Sequence, residues 1–316
     1  MITKLKRYFK NFRDAHLISM NERNLNYIMR YNDRSLYSLV DDKTNIKKSA
    51  PLFDINCPKL IAIIEYQHEV SNFLDYIENY NTFVIKPSCG SGGRGILVIK
   101  NREGNTFFKT DGEKIELYEI KRHIANTISG LYSLGGKIDK ALIEECVEFS
   151  DIFAKYSYQG VPDVRIITFK GFPVMAMLRA ATAESKGRAN LHQGAIGIGI
   201  DIKTGKALQA VQKNRVISVH PDTKAQLRDI KIPMWREHLK IATTAFDCTK
   251  LGYLGVDIVL DKNHGPMLLE VNARPGLAIQ IANNYGLRKR LQQIESLTDT
   301  TVLNVDQRIN FILENF

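Results

Sequence analysis

The sequence is poor in cysteine and contains no long uninterrupted apolar stretch. Its four cysteines are spread over 316 residues, and none forms a C-x-x-C pair. This spacing indicates neither a disulfide framework nor a zinc site, and it fits a reducing cytoplasm. No apolar run reaches the roughly eighteen residues that suggest a transmembrane helix. The basic N-terminus lacks a continuous apolar core, which argues against a secretory signal peptide.

The charge is unbalanced, because 44 Lys and Arg residues against 34 Asp and Glu residues give a formal net charge of +10. Such an excess is typical of nucleic-acid binding proteins and also of enzymes that act on anionic substrates. The sequence has neither an RNA-recognition aromatic motif nor zinc-finger spacing. We therefore expect no nucleic-acid partner; a steep loss of binding with salt would indicate one.

Hydrophobic patterning predicts a mixed α/β (α+β) chain without internal repeats or low-complexity segments. We expect a helical region at 1–50, a smaller α/β subdomain at 51–145 and a larger one at 146–316. The main predicted strands are Leu60–Ile64, Thr82–Ile85, Ile96–Ile99, Ala141–Val147, Leu254–Leu260 and Met267–Val271, and the longest predicted helices are Glu116–Ile128 and Trp235–Phe246.

A glycine-rich loop follows the predicted strand that ends in Lys86. Gly90, Gly92 and Gly95 match G-x-G-x-x-G, but an apolar strand and not a helix follows them, which excludes a dinucleotide-binding fingerprint. A kinase glycine loop has its lysine on a later strand, and a Walker loop has its lysine after the last glycine. The loop therefore joins two strands and carries its lysine first.

Such a loop is suited to covering phosphate groups. Its glycines let backbone N–H groups approach oxygen atoms closely, and Lys86 supplies a point charge. A plain glycine hairpin beside a surface lysine is the alternative. The density of four glycines within Gly90–Gly95 favours the phosphate interpretation.

A second motif is an acidic hairpin near the C-terminal end. If Lys262–Gly265 form its turn, Asp257 pairs with Glu270 across the two strands. Like charges at paired positions repel, so they require a cation. Asn272 lies on the same face as Glu270, and the oxygen atoms of all three side chains suit Mg²⁺ or Mn²⁺. A solvent-facing acidic edge is the alternative, which the apolar neighbours disfavour.

These two motifs, in this order and at this separation, resemble the ATP-grasp superfamily. Within it the chain looks like the α-L-glutamate ligases that modify ribosomal protein tails, and still more like the shorter sugar-transfer-associated ATP-grasp proteins. The resemblance extends over about residues 41–286 and includes the motif Arg188–Gly194 and the ending Asn272–Gly276. It implies an ATP-grasp fold, in which two α/β subdomains clasp ATP behind a short helical extension.

The resemblance also implies roles for individual residues. The lysines would hold the nucleotide phosphates, the strand at 144–147 would contact adenine, and the acidic hairpin would hold two Mg²⁺ or Mn²⁺ ions. The implied nucleotide-binding positions are Lys43, Lys86, Gly90, Ser91, Gly92, Gly93, Gly95, Glu144, Glu145, Cys146, Val147 and Asp163. The implied metal ligands are Asp257, Glu270 and Asn272, and the positions expected at the reacting groups are Arg179, Arg188, Asn190 and Arg274.

Two features differ from the family pattern. The ribosomal ligases carry a full α/β domain ahead of the grasp, where this sequence has a mostly helical segment. Cys146 stands where the adenine-contacting strand usually has a tyrosine. The first difference bears on the substrate and the second on a nucleotide contact.

The implied activity is ATP-dependent ligation of a carboxylate to an amine through an acyl phosphate. Family resemblance favours an amino acid such as glutamate, with a protein tail, a peptide or a sugar-linked amine as acceptor. A small-molecule ATP-grasp kinase and a nucleotide-binding regulatory protein without turnover are the alternatives. The sequence does not predict the oligomeric state.

The first thirteen residues are expected to form a basic amphipathic helix. Leu5, Phe9 and Phe12 recur at helical spacing among lysines and arginines. Such a helix can lie on an anionic membrane, or its apolar stripe can pack on the rest of the protein. The second interpretation is favoured because surface helices of globular proteins normally show such stripes.

Overall fold

The computed structural model describes residues 14–90, 92–297 and 303–316. They belong to two compact units. The smaller unit comprises Asp41–Pro51 and Cys57–Glu148, and the larger unit comprises the described residues of Met1–Val40, Leu52–Asn56 and Phe149–Phe316. Each unit contains one antiparallel sheet with helices packed on it. The sequence-based boundaries at residues 50 and 145 stay a prediction.

The smaller unit is built on a six-stranded sheet in the order β1-β6-β2-β3-β4-β5. Its strands are β1 Leu60–Ile64, β2 Phe83–Pro87, β3 Leu97–Glu103, β4 Thr106–Lys109, β5 Lys114–Glu116 and β6 Ala141–Glu145. Its α-helices are Lys43–Ser49, Phe73–Tyr76 and Leu117–Ile128, and its 3₁₀ helices include Gln67–Asn72 and Leu134–Gly136.

The core of the smaller unit lies between this sheet and the helix Leu117–Ile128. Ile120 and Ile124, one helical turn apart, are fully buried, as are Phe73, Phe83 and Phe107. The ring centroids of Phe73 and Phe83 are 5.8 Å apart in an edge-to-face arrangement. Aromatic pairs of this kind contribute about 0.5–1.5 kcal/mol beyond area burial. This packing holds β2, the strand that leads into the glycine loop.

The larger unit is built on a seven-stranded sheet in the order β11-β10-β9-β8-β7-β12-β13. Its strands are β7 Asp163–Phe169, β8 Phe172–Ala180, β9 Ile196–Ile200, β10 Ala207–Gln212, β11 Arg215–Ile217, β12 Tyr253–Asp261 and β13 Gly265–Asn272. Every residue of β12 is buried, including its two aspartates. A polar residue on such a strand must therefore find its partners within the protein.

Helices cover the larger sheet, and a helical N-terminal segment packs with them. That segment runs through Met20–Glu22, a π-helical stretch Arg23–Ile28, and Met29–Tyr31. The other α-helices are Ser38–Asp41 (shared with the smaller unit), Trp235–Thr249, Ala278–Ala282, Arg288–Glu295 and Val305–Asn315. The remaining 3₁₀ helices are Arg34–Leu36, Ala50–Phe53, Asp151–Tyr156, Leu191–Gln193 and Leu227–Asp229.

The acidic hairpin has the predicted pairing but a different turn. The structure pairs Asp261 with Gly265, so the turn is one residue shorter than Lys262–Gly265. A register shift next to Asp257 then restores the pairing of Asp257 with Glu270. The counted register was correct only because a β-bulge offsets the shorter turn.

The sequence-based fold class is confirmed, since the structure is mixed α/β with two sheets and a helical N-terminal segment. The expected helix at 1–13, and Ser91 of the glycine loop, lie outside the described residues. Among those that are described, no helix is both long and apolar enough to cross a membrane.

We predict that Gly199→Ala destabilises the larger unit by about 1–3 kcal/mol, as overpacking of a buried site does. A Cβ atom at Gly199 of β9 would lie 2.3 Å from the backbone oxygen of Ala282. Gly197→Ala is the matched control, because the nearest atom to its Cβ would be the end of the flexible Leu191 side chain, at 2.8 Å, and not a backbone atom. Urea unfolding should give a lower midpoint for Gly199→Ala; equal midpoints would contradict this close approach.

Candidate functional site

The glycine loop of the smaller unit is anchored where it leaves β2. The backbone N–H of Cys89 donates to both carboxylate oxygens of Asp139, at 3.0 and 3.1 Å. The Ser88 hydroxyl donates to Asp42, whose carboxylate also caps the helix Lys43–Ser49 through the N–H of Thr44. The start of the loop is thereby fixed to that helix and to the loop before β6.

Lys43, the first predicted phosphate ligand, is the first residue of this helix. Its ammonium nitrogen donates to the carbonyl oxygen of Gly90 at 2.7 Å and to that of Ser88 at 3.4 Å. The structure therefore places the Lys43 charge directly at the beginning of the glycine loop.

The far end of the loop is held by a histidine. Gly92, Gly93 and Gly95 all have positive φ angles, between 65° and 75°. A Cβ atom at Gly95 would lie 2.4 Å from the ring of Tyr132, and the Gly95 carbonyl contacts His123 Nε2 at 3.0 Å. Glycine is required here by both conformation and space, whereas Gly92 and Gly93 are exposed.

A buried cluster of charges includes Lys86, which lies near the end of β2, the strand that leads into the loop. Lys86 Nζ is 2.7 Å from Glu144 Oε2, and Lys47 Nζ is 3.4 Å from the same oxygen. Less than a tenth of each of these side chains is exposed. Lys47 Nζ and Glu144 Oε1 have no hydrogen-bond partner among the described residues. Two lysines thus share one carboxylate and leave the cluster with an excess positive charge.

Burial perturbs both ends of this cluster. Desolvation, together with the neighbouring Lys86 charge, lowers the pKa of Lys47 from 10.5 to about 8, although Glu144 opposes the shift. Burial alone would raise the pKa of Glu144, but the charges of Lys86 and Lys47 outweigh it and keep that pKa below its ordinary value. Excess positive charge held in a low dielectric favours binding of an anion.

The predicted adenine-contacting residues end β6 and follow it. Glu144 belongs to the buried cluster, whereas Glu145 is partly exposed and lies 3.7 Å from Lys59. Cys146 Sγ lies 3.2 Å from Lys100 Nζ, and Val147 is buried. The adenine-binding role of residues 144–147 stays a prediction.

In the larger unit, two arginines neutralise the buried Asp257. Arg165 donates from Nε and Nη2 to the two Asp257 oxygens at 2.6 and 2.5 Å. Arg179 grips Asp163 in the same bidentate way, at 2.5 and 2.7 Å, and its Nη2 also donates to Asp257 Oδ2 at 2.7 Å. Strands β7, β8 and β12 are neighbours in the sheet, so they bring these four side chains together.

The arginines set the protonation of this network. Burial raises the pKa of Asp163, and the charge of Arg179 opposes it only in part. Burial would also raise the pKa of Asp257, but Arg165 and Arg179 outweigh it and lower that pKa. Asp257 is therefore held as a carboxylate. Truncating one partner of such a buried pair typically destabilises a protein by about 3–5 kcal/mol.

The donors of the predicted metal set lie on one hairpin. Asp257 pairs with Glu270, and Asn272 Nδ2 is 3.5 Å from Asp257 Oδ2. Asp257 Oδ1 accepts a single hydrogen bond from the described residues, so it retains a lone pair for a cation. The described part of the chain contains no group of three or more residues of the types His, Cys, Asp and Glu that could hold a metal, and the predicted set contains only two residues of these types. This set, with two carboxylates and an amide, fits Mg²⁺ through its oxygen donors.

The remaining predicted residues are placed in two loops of the larger unit. Arg188 donates to Gln193 at 3.4 Å, and the Asn190 side chain caps a 3₁₀ helix through the N–H of His192. Arg274 follows the metal ligands, and its guanidinium carbon lies 4.9 Å from the centroid of the Tyr37 ring. The contacts seen for Arg188 and Asn190 are local to their own loop.

Comparison with known proteins gives the family. A sequence model of the sugar-transfer associated ATP-grasp family matches residues 22–296. The chain belongs to this family. The resemblance inferred from the two motifs is thereby confirmed, and the match includes the glycine loop, the acidic hairpin and most of the helical N-terminal segment.

Curated relatives of this ATP-grasp chain are named probable alpha-L-glutamate ligases. The protein of Maridesulfovibrio salexigens is 26% identical over 223 residues, which are 71% of this chain and 52% of the relative. That of Legionella pneumophila (strain Corby) is 27% identical over 200 residues, 63% of this chain and 49% of the relative. The chain spans about half the length of these relatives.

Solved structures similar to this ATP-grasp chain include two ligases. The ATP-grasp ligase PsnB, complexed with a phosphomimetic variant of a minimal precursor, Mg and ADP, is 12% identical with a TM-score of 0.45, over 84% of this chain and 60% of PsnB. D-alanine–D-alanine ligase from Bacillus anthracis is 14% identical with a TM-score of 0.46, over 90% of this chain and 72% of the ligase.

Lys47 was not among the candidates from sequence, and Arg165 was recognised only as part of the family's D-x-R pattern with Asp163. Lys47 is one of several lysines on a short helix, and only the fold shows that it points into the interior beside Glu144. The structure shows what the pattern did not, namely that Arg165 is the bidentate partner of Asp257. The alternation of β7 places Arg165 two residues after Asp163, and that spacing was the available signal.

We predict that wild-type stability rises relative to Lys47→Met as the pH rises from about 8 to 10.5. The pKa of Lys47 is about 8 in the folded protein and 10.5 for an exposed lysine, so the unfolded chain binds more protons in this window. Lys48→Met, at the exposed neighbour, should show no such difference. Urea unfolding at several pH values measures it; parallel profiles for wild type and Lys47→Met would contradict the burial of this charge.

Proposed function

We propose that this protein is an ATP-dependent carboxylate–amine ligase that forms an amide through an acyl phosphate. The observation that carries the proposal is the hairpin with Asp257, Glu270 and Asn272 in a chain of the ATP-grasp family. Its position beside two buried arginines supports a role in handling the charge of a reacting phosphate.

The nucleotide phosphates are bound by the smaller unit. Lys86 and Lys43 lie at the beginning of the glycine loop, whose N–H groups can approach phosphate oxygens. Lys47 keeps Glu144 neutralised when Lys86 turns from it towards a phosphate. Residues Glu145–Val147 contact adenine, in part through backbone groups, which are present whatever side chain stands at position 146.

The metal site is formed by Asp257, Glu270 and Asn272. When bound, Mg²⁺ or Mn²⁺ supplies positive charge that offsets the charge of the phosphate groups. Arg165 fixes Asp257 by two hydrogen bonds, and Asp163 fixes Arg179. These contacts preorganise the site, so little reorganisation is needed during the reaction.

The chemistry requires positioning and charge neutralisation more than a protein nucleophile. A carboxylate oxygen attacks the γ-phosphorus of ATP, and the bond to ADP breaks. The amine then attacks the acyl carbon, phosphate leaves, and the amine proton passes to solvent. Arg179, Arg188 and Asn190 steady the transferred phosphoryl group, and the Gly90–Gly95 loop excludes water that would hydrolyse the acyl phosphate.

Glutamate is the first candidate for the amino acid, because the matched relatives are named probable alpha-L-glutamate ligases. The second substrate, to which glutamate is joined, is an amine or carboxylate on a protein tail, a peptide or a sugar-linked group. A phosphate-release assay over amino acids and acceptors, with mass spectrometry of the products, tests the proposal. An amide product with ADP and phosphate supports it. A phosphorylated substrate would indicate a kinase, and nucleotide binding without turnover would indicate a regulatory protein.

We predict that Glu270→Gln lowers turnover by orders of magnitude while the fold is retained. The change keeps the shape of the side chain but removes one charge from the metal-binding hairpin, and with it stabilisation of the transition state. Glu237→Gln removes the same charge at an exposed position of the same unit and should leave turnover unchanged. Near-wild-type activity of Glu270→Gln at saturating metal would remove Glu270 from the site.

We predict that Lys86→Ala weakens nucleotide binding and turnover, because it removes the cation at the start of the glycine loop. Calorimetric titration with a non-hydrolysable ATP analogue measures the affinity. Lys114→Ala is the control, since Lys114 is an exposed lysine of β5 in the same unit. Unchanged affinity together with unchanged turnover would assign Lys86 a structural role.

A further inference from the structure

The helical N-terminal segment holds the loop that carries Arg274. The Asn32 side chain makes three hydrogen bonds in this region. The Asn32 amide donates to the carbonyl oxygens of Tyr253 and Ala273, at 2.8 and 3.1 Å, and accepts from the N–H of Tyr253 at 2.7 Å. Asn32 is buried, so its side chain ties the first residue of β12 to the residue that follows the predicted metal ligand Asn272.

An arginine of the same segment holds the other side of this loop. Arg23 Nη1 donates to the carbonyl oxygen of Pro275 at 2.5 Å, and its Nε and Nη2 donate to Asn24. Arg23 is 8% exposed and forms no ion pair with any acid in the described residues. Burial lowers its pKa, although a guanidinium remains charged. A buried cation held only by neutral acceptors adds positive potential at this loop.

The loop is also packed tightly on the sheet. A Cβ atom at Gly255 of β12 would lie 2.6 Å from Cβ of Pro275. Ala273 and Pro275 are both buried, whereas Arg274 between them is exposed. The backbone is therefore fixed on either side of the single side chain that faces outward.

Tyr37 restrains that outward-facing side chain. The Arg274 guanidinium carbon lies 4.9 Å from the centroid of the Tyr37 ring, within the range of a cation–π contact. A guanidinium that stacks on an aromatic ring contacts it through its flat face, and its N–H donors, which lie in the guanidinium plane, can still form hydrogen bonds. That arrangement suits bidentate binding of a carboxylate, because less side-chain freedom is lost when the anion binds.

We propose that Arg274 and Tyr37 form the binding surface for a carboxylate group of the substrate, with Arg23 and Asn32 as positioning residues that fix the backbone of Arg274. This inference rests on the proposed function for its location beside the metal ligands. It assigns a specificity-determining role to the helical N-terminal segment, which supplies Tyr37, Arg23 and Asn32.

The test is an NMR titration of protein labelled with ¹⁵N-arginine, which requires no turnover. The Nε–H signal of Arg274 is identified by its absence in Arg274→Lys. The probes are glutarate as a dicarboxylate, glutaramide as its neutral analogue, and inorganic phosphate. Glutarate is expected to shift the Arg274 signal, and glutaramide is not. No response to glutarate, or a response to phosphate alone, would overturn the proposal.

The contribution of Tyr37 is tested by two substitutions. Tyr37→Phe keeps the ring, so the Arg274 signal and the glutarate affinity should stay close to wild type. Tyr37→Leu removes the ring, so the signal should shift and glutarate should bind roughly threefold more weakly, as expected for an exposed cation–π contact. An Arg274 signal that is the same in wild type and Tyr37→Leu would overturn the role of Tyr37.

The positioning role is tested with Asn32→Asp, which keeps the size of the side chain but loses the donor to Tyr253 and Ala273. The Arg274 signal should shift and glutarate affinity should fall, while the signals of the other arginines report that the fold is retained. Asn79→Asp makes the same change at an exposed position and should have no effect. If Asn32→Asp does not fold, Gly255→Ala displaces the same loop from the sheet side and should produce the same shift. An unmoved Arg274 signal in a folded variant would overturn the positioning role.

Failure of this inference and failure of the proposed function are distinguishable. If the protein ligates substrates with ATP but glutarate does not shift the Arg274 signal, the proposed function stands and the carboxylate site at Arg274 is wrong. A protein that binds glutarate at Arg274 but gives no amide product would support the carboxylate site and contradict ligation.

Discussion

The carboxylate of Asp257 is buried in the middle of a strand whose residues are all inaccessible to solvent, and it must be neutralised there. Arg165 and Arg179 reach it from β7 and β8, and Asp163 of β7 holds Arg179 by two hydrogen bonds. An isolated buried carboxylate would take up a proton and lose its value as a cation ligand. The order of strands β8, β7, β12 and β13 therefore brings together the charges on which the candidate site depends, and it places Glu270 and Asn272 beside them.

The smaller unit also buries charged groups, but there the excess charge is positive. Lys86 and Lys47 share Glu144, so the cluster carries one cation more than it has anions. Burial makes that excess unfavourable in the free protein, and an anionic ligand relieves it. The anchoring of the glycine loop at Asp139, and of Lys43 at Gly90, keeps the cations at the loop's beginning.

Sequence patterns predicted the local elements that carry the candidate site better than its contacts between distant segments. The glycine loop between two strands follows from local spacing, and the structure contains it. The pairing of Asp257 with Glu270 was also predicted, but its register was correct only because a β-bulge offsets the shorter turn. The shorter turn and its offsetting bulge did not follow, because a bulge depends on packing against neighbouring strands. Lys47 is buried against Glu144, and Asn32 is hydrogen-bonded to Tyr253. Both contacts join segments that are distant in sequence, so a local sequence pattern does not predict them.

In the proposed reaction, a substrate carboxylate is activated when the γ-phosphoryl group of ATP is transferred to it. The most direct test of this activation places ¹⁸O, in turn, in the carboxylates of each substrate that supports phosphate release. The attacking carboxylate oxygen stays on phosphorus when the amine displaces phosphate. One ¹⁸O atom per turnover should therefore pass from one of the two substrates into inorganic phosphate. Inorganic phosphate free of ¹⁸O from either substrate, or a phosphorylated product in its place, would contradict it.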